Sequence, residues 1–93
     1  MSQDKTKPLT ADQIRAARAL LRWSAEDLAR RSSVSLRTIR RAELSEAQTA
    51  LTTANNLVLR LALEAAGVEF INENGGGPGV RLRKRPQAKP SRR

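Results

Sequence analysis

Three times near its start the chain repeats one pattern: an apolar residue, a hydroxyl, and an apolar residue four places after the hydroxyl. The copies are Leu9-Thr10-Ile14, Trp23-Ser24-Leu28 and Val34-Ser35-Ile39. A hydroxyl in that position can accept a backbone N–H from the first turn of a helix, while the flanking apolar pair staples the entering chain to that turn. Gln13 and Asp27 stand where a capping box needs them, three places after Thr10 and Ser24. Short helices are predicted at 11–22, 25–31 and 36–43. Their inward faces are Ile14, Ala17 and Leu21; Leu28 and Ala29; and Ile39 and Ala42. Only residues 32–35 separate the second helix from the third, too few for antiparallel packing, so a helix-turn-helix is expected. An ordinary small helical bundle is the alternative.

Residues 44–51 carry Ser45, Glu46, Gln48 and Thr49 and read as a connecting loop. A fourth helix is predicted at 53–66, capped by Thr52 or Thr53 and stopped by Gly67. It carries two apolar stripes: Ala54, Leu57, Val58, Leu61 and Ala65, and Leu59, Leu63 and Ala66. A surface helix of so small a domain buries one broad stripe. The second stripe is then expected either against the following strands or at a homodimer seam, with Leu59, Leu63 and Phe70 as seam candidates. After Gly67 the period changes to two. Val68, Phe70, Val80 and Leu82 alternate with Glu69, Arg81 and Arg83 around a glycine-rich turn, which predicts a β-hairpin. The glycine run is no phosphate-binding loop, because no Gly-Lys-Ser/Thr and no helix follow it.

The expected fold is mainly α: a compact four- to five-helix helix-turn-helix domain with a C-terminal β-hairpin and a disordered basic tail. Residues 1–8 are expected to be a flexible segment, 9–66 the DNA-binding domain, 67–83 the hairpin extension and 84–93 the tail. The chain has neither cysteine nor histidine, which excludes zinc fingers, disulfide scaffolds and thiol or imidazole catalysis. No metal site, cofactor or small-molecule ligand is expected. No apolar run could cross a bilayer and residues 1–8 do not resemble a signal peptide, so the expected location is the cytoplasm, in association with the nucleoid.

Charge narrows the partner. The formal net charge is +9, from 18 Lys and Arg against 9 Asp and Glu, which favours a polyanion. Its placement matters more. Arg30, Arg31, Arg37, Arg40 and Arg41 cluster within the predicted helices, and a second basic cluster occupies the C-terminal end.

The segment 14–43, IRAARALLRWSAEDLARRSSVSLRTIRRAE, resembles the Xre family of bacterial helix-turn-helix repressors. The resemblance rests on Arg15 and Leu20-Leu21, Trp23-Ser24, Asp27-Leu28-Ala29, and Val34-Ser35-Leu36-Arg37-Thr38-Ile39, and extends over about 10–70. It implies a transcriptional regulator, a repressor by expectation, that binds double-stranded DNA. The family's base-reading positions fall on Leu36, Arg37 and Arg41. Arginine can give two parallel hydrogen bonds to guanine, and Leu36 could meet a thymine methyl. Backbone contacts are expected from Ser24 and Ala25 at the second helix start, from Ser35, Thr38 and Arg40, and from Arg22 and Thr49. One helix reads too few base pairs for genomic selectivity, so a homodimer on a palindromic site is expected. Three family features differ here. Ser33 replaces the turn glycine, Ala25 replaces a phosphate-clamping glutamine, and Glu46 enters the following loop.

Other functions stay open. The helix-turn-helix could instead bind a regulatory protein, or the basic tail and hairpin could serve DNA bending in recombination. An RNA-binding role lacks a stacking platform, since Trp23 and Phe70 are the only aromatics. No enzymatic activity is expected: no acid pair falls in a predicted cleft, and the hydroxyls are accounted for as caps.

Overall fold

Each of the three hydroxyl signals opens a helix. The computed structural model describes residues 8–44, 51–72 and 75–83. Its elements run α1 (Ala11–Leu21), α2 (Ala25–Ser32), α3 (Leu36–Leu44), α4 (Thr53–Ala65), β1 (Val68–Ile71) and β2 (Gly79–Leu82). The expected N-terminal segment up to residue 7, the loop residues 45–50 and the expected basic tail lie outside the described residues. No described helix is long and apolar enough to cross a membrane.

The caps act as the sequence requires. The Thr10 hydroxyl accepts the Gln13 N–H at 3.0 Å while Gln13 accepts the Thr10 N–H at 3.0 Å. Ser24 and Asp27 repeat this reciprocal pair at 2.9 Å in each direction. Ser35 accepts from the Thr38 N–H at 3.1 Å, and Thr52 from the Asn55 N–H at 3.0 Å.

Two helix ends turn on left-handed residues that are not glycine. Arg22, at φ 60°, ends α1 one residue before the expected boundary. The Trp23 N–H then returns to the Arg18 carbonyl at 2.9 Å and the Arg22 N–H to Ala19 at 3.1 Å, a Schellman closure. Ser33, at φ 65°, ends α2, and its N–H reaches the Ala29 carbonyl at 2.9 Å. A side chain in this region costs on the order of 1 kcal/mol relative to glycine. Ser33→Gly is therefore expected to raise stability by about 0.5–1 kcal/mol, read as a higher urea midpoint at unchanged m-value.

The core lies where α1, α2 and α3 meet α4 and the hairpin. Leu9, Ile14, Leu28, Ile39, Leu59, Leu63 and Val68 have no solvent exposure there. β1 and β2 pair antiparallel with Val68 opposite Leu82 and Phe70 opposite Val80, so Val68 and Phe70 share the face turned to the core. Gln13 has a second task beyond its cap. Its side-chain amide donates to the Ile71 carbonyl at 3.3 Å and the Gly79 carbonyl at 3.0 Å, clasping both hairpin strands to α1.

The inward face of α4 differs from the expected one. Its buried residues are Asn56, Leu59, Arg60 and Leu63, a single helical stripe. Ala54, Leu57, Val58, Leu61 and Ala65 are exposed. Leu59, Leu63 and Phe70, the expected seam residues, are at 0%, 0% and 1% exposure within one chain. Side chains so enclosed cannot lie between two folded copies, so the seam is overturned and the other expectation, packing against the following strands, holds through β1, with α2 on the same side. The stripe was hard to read because two of its members are polar. Asn56 is buried by a partner: its Oδ1 accepts the Leu9 N–H at 2.8 Å. Arg60 packs its guanidinium 5.2 Å from the Phe70 ring centre and 3.8 Å from a Glu64 carboxylate oxygen.

Candidate nucleic-acid interface

The turn Ser33-Val34-Ser35 joins α2 to α3 with two devices. Val34 is buried among core residues, and its N–H is held by the Ser32 hydroxyl at 3.1 Å. Ser35 then starts α3, its hydroxyl donating to the Thr38 hydroxyl at 2.9 Å. α3 is pinned from below by Ile39 and Ala42, each with no exposure. Helical spacing sends Arg37, Arg40 and Arg41 to the opposite side, and all three are exposed.

Glu43 shares the buried stripe with Ile39 and is only 8% exposed. Its carboxylate takes a two-pronged ion pair from Arg18 on α1, with Nε to Oε2 at 2.7 Å and Nη2 to Oε1 at 2.8 Å. Arg18 also donates to the Trp23 carbonyl at 3.0 Å, and Arg15 donates to the Glu43 carbonyl. The hydrogen bond to Glu43 raises the Arg18 pKa further above the ordinary arginine value, against the opposing effect of burial. The pair therefore locks the end of α3 to α1.

The expected contact residues separate into three groups. Arg37, Arg40, Arg41, Ser35 and Thr38 come together on α3. Arg40 also reaches the start of α2, pairing with Glu26 at 2.9 Å, so Ser24 and Ala25 border the same region. Leu36 is half-buried and packs on the core, which leaves only part of its side chain outward. Arg22 is exposed in the α1–α2 connection, and Thr49 lies outside the described residues.

The α2 start differs from a bare anion cradle. The Asp27 carboxylate already accepts the Ser24 N–H, and Arg30 donates to its other oxygen. The Ser24 backbone hydrogen bond, with help from Arg30, holds the Asp27 carboxyl below its ordinary pKa. Glu26 stands beside it in the first turn. A phosphate approaching this helix end therefore meets two carboxylates as well as the helix dipole.

Sequence reasoning missed Glu26 and Glu43. Glu43 had a readable signal, since it lies four places after Ile39 and so on the buried face, where a charge needs a partner. Glu26 had none, because its partner sits on another helix.

No protein-family model matches the chain, and no curated protein matches it. The chain is a small mainly α domain of four helices among the described residues, closed by an antiparallel hairpin.

Proposed function

We propose that this chain is a sequence-specific DNA-binding regulator of transcription that enters a major groove with α3. The observation that carries the reading is the two-sidedness of that helix. Ile39, Ala42 and Glu43 hold it into the domain, while Arg37, Arg40 and Arg41 leave it together, in a chain of net charge +9. Arg37 and Arg41 are assigned to guanine edges, because they are exposed on the side opposite the anchor. Arg40, turned toward α2, is assigned to a phosphate that competes with Glu26 for it. Ser24, Ser35 and Thr38 supply hydroxyls at the rim.

The test begins with selection of bound fragments from random and genomic DNA. Arg37→Ala and Arg41→Ala should each cost roughly 1–3 kcal/mol on the selected site and relax preference at one base pair. Removing residues 84–93 should instead flatten the dependence of affinity on salt while leaving the preferred sequence unchanged. If both arginine variants weaken every DNA sequence equally, the assignment of base readers is wrong.

A second reading draws on the carboxylates at the α2 start. Glu26 and Asp27 beside the arginines make a mixed-charge surface that suits a regulatory protein partner better than bare DNA. Retention of a transcription factor on the immobilised chain, with no DNA selected, would favour it.

A further inference from the structure

A cleft of about 180 Å³ lies between α2 and the end of α4, lined by Trp23, Arg31, Ala62, Ala65 and Ala66. A cavity of that order has room for a benzene ring, so it can take one leucine or phenylalanine side chain. The three alanines make its floor apolar. Leu61, one turn before Ala65 and 49% exposed, continues that floor along α4. Trp23 is half-buried, and the other aromatic, Phe70, is in the core, so the chain's one accessible ring stands here. The Arg31 guanidinium lies over that ring, 4.9 Å from its centre. The ring satisfies the flat face of a guanidinium and none of its five N–H donors. Arg31 makes no hydrogen bond or ion pair among the described residues, whereas Arg18, Arg30, Arg40 and Arg81 each have a carboxylate. Arg60 and Glu64, the only charged residues of α4, pair with each other away from the cleft.

We propose that this cleft docks an acidic segment of another protein, with a carboxylate on Arg31 and a large apolar side chain on the alanines. Charge selects the first group, because a carboxylate accepts two parallel N–H bonds from a guanidinium. Shape selects the second, because small floor residues admit one bulky anchor. Tryptophan and arginine are also the side chains that most often carry the energy of an interface. A phosphate would satisfy Arg31 and leave the alanine floor bare. A second copy brings its own net charge of +9, whereas an acidic segment is drawn in by that charge. Docking here does not depend on what α3 binds, since Arg31 lies against α4 and apart from Arg37, Arg40 and Arg41.

The experiment is selection of peptides from a random display library on the immobilised full chain. Peptides that combine Asp or Glu with a nearby Leu, Met or Phe are expected. Trp23 is the single tryptophan, so it reports binding of a tryptophan-free synthetic copy of the leading peptide. Its emission should move to shorter wavelength as the peptide displaces water. Arg31→Gln and Ala65→Gln should each raise the Kd roughly tenfold or more, with the helical circular dichroism retained. Arg37→Gln removes the same charge from α3 and should change the Kd less than about twofold at physiological salt.

No enrichment beyond that of a parallel selection on the Arg31→Gln chain overturns the proposal. Equal losses from Arg31→Gln and Arg37→Gln also overturn it, because bulk charge alone would then hold the peptide. Self-association of the free chain that Ala65→Gln abolishes would give the cleft to a second copy. Loss of duplex DNA binding on Arg31→Gln would give it to phosphate. Either result sinks the acidic-segment assignment.

Discussion

Truncating Ile39 to alanine is expected to destabilise the domain by about 2–5 kcal/mol, the usual cost of removing a fully buried branched side chain. Ile39 has no exposure and sits where α3 meets the shared core, so the cavity has little freedom to collapse. Domains of this size are stable by only about 5–15 kcal/mol, so the loss is a substantial share of the total. The urea midpoint measures it. Arg37→Ala, two residues away on the same helix, is the matched control and should leave that midpoint unchanged, because Arg37 is exposed. An Ile39→Ala chain as stable as wild type would mean that α3 is not held by its buried face.

The second large effect concerns Arg18 and Glu43. Replacing either one alone, as Arg18→Met or Glu43→Leu, should cost roughly 1–3 kcal/mol, because a nearly enclosed charge loses its partner. The side chains are 22% and 10% exposed, so water recovers part of the loss at Arg18 and less at Glu43. The double substitution should be more stable than the sum of the singles predicts. Its apolar side chains need no partner, and buried ion pairs exchanged for apolar groups are often neutral. A double-mutant cycle in urea gives the coupling directly. Additive singles would show that the two-pronged contact does not join α1 to α3 energetically.

Most of the local structure could be read in advance, and for a local reason. A capping hydroxyl finds its N–H within three residues, and a hydrophobic staple closes within five. Thr10, Ser24 and Ser35 therefore announced their helices without reference to the rest of the chain. The same holds for the hairpin, whose alternating residues paired as Val68 with Leu82 and Phe70 with Val80. The exposed arginines of α3 were legible too, since Ile39 and Ala42 define the opposite side by helical spacing alone.

Pairings across the chain were not legible in this way. Gln13 was identifiable as a cap, yet nothing nearby shows that its amide also holds Ile71 and Gly79. Glu26 could not be matched to Arg40 until α2 and α3 were placed against each other.

The sequence by itself determined where the helices begin, which face of α3 is anchored, and that a hairpin follows α4. These outcomes depend on contacts a few residues apart. Only the tertiary structure decided which apolar stripe of α4 turns inward. Hydrophobicity favoured Leu57, Val58 and Leu61, but the folded chain offers Leu9 an amide at Asn56 and stacks Arg60 on Phe70. A polar group can be buried once a partner is supplied, and those partners lie 47 and 10 residues away in Leu9 and Phe70.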